Sequence, residues 1–75
     1  MISAQLETLL ITRLVRKHGG SKIGWRRALG PVRLYDTATH PHCNWAVAPS
    51  GSIGQNRAIE ELCDEVRGEH PIIGA

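Results

Sequence analysis

Phenylalanine is absent from this 75-residue chain, and apart from histidine its only aromatic side chains are Tyr35, Trp25 and Trp45. A core stacked from many large rings is therefore excluded, and Leu, Ile, Val and Ala must fill the interior around the indoles. A chain of this length buries only roughly 60 to 65% of the surface it exposes when unfolded. The expectation is a single domain over residues 1–75 with a marginal core, which association with a second copy or another partner would reinforce.

Cysteine is scarce as well. Cys43 and Cys63 can close at most one internal disulfide, whereas small secreted scaffolds carry several, so a reducing compartment is favoured. Long apolar runs are missing: the longest are Leu9–Ile11 and Trp45–Ala48, against the roughly 20 residues that cross a bilayer. Glu7 interrupts the apolar stretch that a secretory signal needs, and no small-residue cleavage site follows it. The expected location is cytoplasmic, without a membrane partner.

Carboxylates are missing from one long stretch, since none lies between Glu7 and Asp36. Residues 1–34 hold Arg13, Arg16, Lys17, Lys22, Arg26, Arg27 and Arg33 against Glu7 alone, a net +6. Residues 35–75 hold Arg57 and Arg67 against Asp36, Glu60, Glu61, Asp64, Glu65 and Glu69, a net −4. The overall charge of +2 hides this polarity, which bears on partners and association rather than on fold.

What is present is a clear helical period at both ends. Leu6, Leu9, Leu10 and Leu14 recur at helical spacing, widened by Ile11 and Val15, with Ser3 as candidate N-cap and Gly19-Gly20 as the stop. The first helix is expected over about residues 4–18. Ser52 and Gln55 form a Ser-x-x-Gln capping box ahead of Ile59, Leu62, Cys63 and Val66, which predicts a second amphipathic helix ending near Gly68.

Between them, Ser21 to Gly30 reads as one or two turns, with Ser21 as candidate cap of a short helix through Leu29 that Gly24 weakens and Gly30-Pro31 ends. Val32–Asp36 and Asn44–Ala48 read as an antiparallel hairpin whose loop contains Pro41. The tail His70–Ile73 is expected to add a third short strand or to pack across the helices. The predicted class is α+β, two helices packed on a short antiparallel sheet. The expected core is Leu6, Leu10, Leu14, Leu34, Trp45, Val47, Ile59, Leu62, Cys63 and Val66.

Three features are candidates for chemistry. The basic N-terminal half suits nucleic-acid phosphates, and Lys22, Trp25, Arg26 and Arg27 combine a ring with cations in the manner of single-strand binders, provided the ring is exposed. The opposite reading puts Trp25 in the core and pairs the cations with the acidic second helix. A helix-turn-helix reading of residues 4–29 fails on Gly24 and on the β-rich stretch that follows. The second helix, acidic after Arg57, lacks the phosphate clamp of double-stranded RNA-binding domains.

His40, His42, Cys43, Cys63 and His70 are zinc-ligand types, but their spacing offers no two compact ligand pairs, and Cys63 falls on an apolar helix face. No base or orienting group is identifiable that would activate Cys43 as a nucleophile. Gly51-Ser52-Ile53-Gly54 at a helix start resembles an anion cradle, yet capping explains the same residues.

The functional expectation is a non-enzymatic module without cofactor or metal. Its basic surface, formed by Arg13, Arg16, Lys17, Lys22, Trp25, Arg26, Arg27 and Arg33, meets nucleic acid. The alternative is a protein-interaction or homo-oligomerisation module in which surfaces of opposite charge meet.

Overall fold

A computed structural model describes residues 1–74. Its elements run α1 (Ser3–His18), α2 (Lys22–Leu29), β1 (Arg33–Leu34), β2 (Trp45–Ala46) and α3 (Ile53–Glu69). The α+β class and the order helix, strand, strand, helix are those expected from the sequence.

Helix α1 starts at Ser3, one residue earlier than predicted, and Ile2 rather than Ser3 is its N-cap. Ile2 is held extended by a parallel bridge to Gly74, and its N–H is taken up by the Gln5 side chain at 2.9 Å. Gly19 and Gly20 end the helix with φ of 75° and 84°, a left-handed pair that costs a side-chain-bearing residue roughly 1 kcal/mol or more at each position.

Helix α2 is eight residues long, about two turns, as expected from the sequence. Gly24 does not break it, because the Ser21 hydroxyl accepts the Gly24 N–H at 3.0 Å, so the glycine sits where the cap lands. Helix α3 carries the capping box: Gln55 N–H donates to Ser52 Oγ at 3.1 Å and Ser52 N–H to Gln55 Oε1 at 2.9 Å.

The three helices pack pairwise on one another, and the β ribbon joins them through Trp45. Leu6, Leu10, Leu14, Trp45, Ile59, Cys63 and Val66 are buried as expected, joined by Ile11, Trp25, Ala28, Leu29, Ala58 and Ile73. Leu34, Val47 and Leu62 are corrections: Leu34 is 37% exposed, and the other two are half-buried against the core. Leu34 lies opposite Trp45 in the ribbon register, but only the longer indole reaches the interior, while α2 contributes three side chains instead. Close packing of α2 against the start of α3 is visible at Gly51, where an added Cβ would stand 2.7 Å from Ala28 Cβ.

The ribbon is shorter than predicted. Its strands are two residues each, extended by a Tyr35 N–H to Asn44 carbonyl bond of 2.8 Å. Asp36 then turns the chain, its carboxylate accepting the Ala38 N–H at 2.8 Å and its carbonyl the His40 N–H at 2.8 Å.

The tail docks through Asn44, the one buried polar side chain among the described residues. Its amide pairs with Ile73 in both directions, Nδ2 to the carbonyl at 2.7 Å and Oδ1 from the N–H at 2.9 Å, as a neighbouring strand would. The Asn44 backbone N–H also donates to the Pro71 carbonyl at 3.1 Å. Truncating Asn44→Ala leaves both Ile73 groups unmatched in the interior and is expected to cost about 2 to 4 kcal/mol, measured by urea unfolding followed by tryptophan fluorescence.

Burial raises the Cys63 thiol from its ordinary 9.0 to about 11, against a smaller opposite pull from Arg67. The unfolded thiol ionises at the lower value, so this group's contribution is complete below pH 9.0 and is lost as pH climbs towards about 11. Urea midpoints across that range are expected to fall less steeply in Cys63→Ala than in the native chain.

Candidate nucleic-acid interface

The α1–α2 corner presents most of the predicted cations. Trp25 is the correction: it is only 8% exposed, and its Nε1 donates to the Gly19 carbonyl at 2.7 Å. Its position follows from helix period, since Trp25, Ala28 and Leu29 share the inward face of α2. A ring held this way is a wedge between α1 and α2 and offers no stacking face to a base.

The outward face of α2 carries Lys22, Ile23, Arg26 and Arg27, all exposed. Arg16 and Lys17 are exposed in the last turn of α1, where positive charge also favours the helix dipole, and Arg33 is exposed on β1.

Two of the predicted cations are tied to carboxylates. Arg13 makes a bidentate pair with Glu69 of α3, at 2.7 and 2.8 Å, and Arg26 Nε meets Glu7 of α1 at 3.2 Å. Among the described residues Arg16, Lys17, Lys22, Arg27 and Arg33 form no ion pair. The free basic surface thus runs from the end of α1 through the outward face of α2, with Arg13 removed from it and Arg26 shared.

Along α1 and α3 the charges face one another. A groove of about 410 Å³ has Arg13, Arg16, Lys17 and His18 on one wall and Glu61, Glu65 and Glu69 on the other, above Leu14, Ala58 and Leu62. Among the described residues only Arg13–Glu69 bridges the walls. Pairing of cations with this acidic helix is one of the two sequence readings, and the fold selects which residues meet, since Arg13 and Glu69 lie 56 positions apart.

The remaining candidate residues do not assemble. His40 stacks on Tyr35 at a centroid distance of 4.3 Å with Nδ1 2.9 Å from Thr39 Oγ1, while the Cys43 thiol lies 3.4 Å from the Trp45 carbonyl and Cys63 is buried in the core. Among the described residues no three His, Cys, Asp or Glu side chains gather as a metal site would require. At the start of α3 the Gln55 side chain takes the Ser52 N–H and Asn56 Oδ1 takes the Gly51 N–H at 2.9 Å, so these donors already have acceptors. No described helix is long and apolar enough to cross a membrane.

No family model, curated protein or solved structure matches this chain. The functional reading therefore rests on the surface itself.

The Arg13 guanidinium, by hydrogen bonding first and charge second, holds the Glu69 carboxyl below its ordinary 4.5. A depressed carboxyl contributes stability that is complete above 4.5 and is lost as pH falls through its folded value. Replacing Glu69→Gln is expected to flatten the acid limb of a urea-midpoint profile against pH.

Proposed function

We propose that this chain is a non-enzymatic binding module whose basic corner contacts a polyanion, and that the polyanion is nucleic acid. The observation that carries the reading is the absence of any carboxylate between Glu7 and Asp36, combined with the exposure of Arg16, Lys17, Lys22, Arg27 and Arg33 without an ion pair. Cations with no partner in their own chain keep their full charge for phosphates and release condensed counterions on contact. Arg26 supports the same surface from beneath its pair with Glu7, since its side chain remains 60% exposed.

Burial of Trp25 changes the mode of contact from the stacking that the sequence suggested. Without an exposed indole, affinity comes from phosphate contacts on a rigid helical rim, which fix position and carry little base selectivity. Ser21 capping and the Trp25–Gly19 hydrogen bond hold that rim in place. The backbone is thus ordered before contact, and the ordering cost on binding falls on the exposed Lys and Arg side chains.

Fluorescence anisotropy with labelled DNA and RNA at several salt concentrations tests the reading. If all five free cations meet phosphates on duplex DNA, log K falls against log salt with a slope of about −4.5. The double substitution Lys22→Glu with Arg27→Glu is expected to weaken binding at least tenfold and to make the slope shallower. Absence of binding at low salt, or binding indifferent to salt, overturns the proposal.

A further inference from the structure

We infer that the charged groove between α1 and α3 is a self-complementary dimer interface, occupied by the same groove of a second copy. This does not rest on the nucleic-acid reading. Its basis is that Arg16 and Lys17 stand on one wall and Glu61 and Glu65 on the other, all exposed and none ion-paired within the chain.

The direction of the two helices follows from the groove. Arg13 bonds Glu69 at one end, while His18 and Ala58 line the same groove further along, so α1 and α3 run antiparallel. Both helices rise about 1.5 Å per residue, which sets Lys17, four residues past Arg13, level with Glu65, four residues before Glu69. Lys17 and Glu65 are therefore matched in height as well as in sign, while Arg16 stands about 4.5 Å along from Arg13 and Glu61 about 12 Å along from Glu69, further up the acidic wall.

Symmetry then selects one arrangement. A second copy turned by a half-rotation about the groove's long axis lays its basic wall over the first copy's acidic wall, at the same height, on both sides of the axis. A half-rotation about the perpendicular axis in the same face sets like charge on like. Only the first is a closed two-fold pairing with attractive electrostatics. It places α1 of each copy over α3 of the other, again antiparallel, giving four helices in alternating directions around Leu14, Ala58 and the half-buried Leu62.

The small apolar floor means that charge supplies most of the recognition, so the dimer is salt-sensitive. Arg16 and Lys17 would be covered in it, whereas Lys22 and Arg27, outside the groove lining, would not, so the five-cation phosphate surface belongs to the monomer and the dimer keeps Lys22, Arg27 and Arg33 for phosphates.

Sedimentation equilibrium without nucleic acid tests the inference. The native chain is expected to double its 8.2 kDa mass at low ionic strength, with a dissociation constant at least tenfold weaker at about 0.5 M salt. Two variants reverse one wall each, Arg16→Glu with Lys17→Glu and Glu61→Lys with Glu65→Lys. All four positions are exposed, and circular dichroism checks that both variants fold.

Each variant alone carries two walls of like sign and is expected to be monomeric, whereas an equimolar mixture is expected to form one-to-one dimers. A native chain that stays monomeric at low salt, variants that dimerise alone, a mixture that does not pair, or open-ended oligomers would each overturn the inference. The first outcome would leave the groove to a foreign helix or a small zwitterion.

Discussion

Each indole in this molecule donates its N–H to the carbonyl of a helix C-cap residue, Trp25 to Gly19 behind α1 and Trp45 to His70 behind α3. A chain without phenylalanine has few large side chains with which to fill its interior, and it uses both tryptophans where a helix ends. The arrangement meets two demands at once. A buried indole needs an acceptor, and a helix terminus leaves carbonyls without intrahelical donors. The rest of the fold is arranged around these two fixed points: the Gly19-Gly20 turn brings α2 back against α1, and the Trp45 anchor draws the ribbon onto α3. Arg67, 5.2 Å from the Trp45 ring, covers the second point from outside.

Charge is sorted by folding in a way that its distribution along the chain only outlines. The basic first half and acidic second half meet along α1 and α3, where one bidentate pair closes one end and leaves the rest of the two walls open. The cations of α2 escape this neutralisation because α2 turns its outward face away from that groove, and only Glu7 reaches it. One sequence asymmetry thus yields two different surfaces, a basic rim and a two-signed groove. They share Arg16 and Lys17 and differ in what faces these cations: three glutamates stand across the groove, whereas along the rim only Glu7, among the described residues, pairs with a cation.

Much of this fold was legible. Apolar residues at helical spacing located α1 and α3, and the Ser52–Gln55 box marked the start of α3, because these signals are local and their partners lie within a turn. Helix α2 is about two turns long, as expected, and tolerates the low helical propensity of Gly24 because the Gly24 N–H is the one that Ser21 caps. The layering of the core was less readable. Leu34 alternates as an inward strand residue should, but a two-residue ribbon is too short for alternation to decide burial. The role of Asn44 had no sequence signal, as its partner is 29 positions away and is met through backbone atoms. At the candidate interface the cations were identifiable by type, while the carboxylates that remove Arg13 and share Arg26 come from distant parts of the chain.

The placement of the indoles has a practical side. With a single tyrosine and no phenylalanine, ultraviolet emission comes almost wholly from two buried chromophores, one at the α1–α2 corner and one where α3 meets the tail. Removing either ring leaves the other as a solitary reporter of its own neighbourhood. The protein carries built-in optical probes that can tell whether the corner and the tail junction loosen together or one before the other.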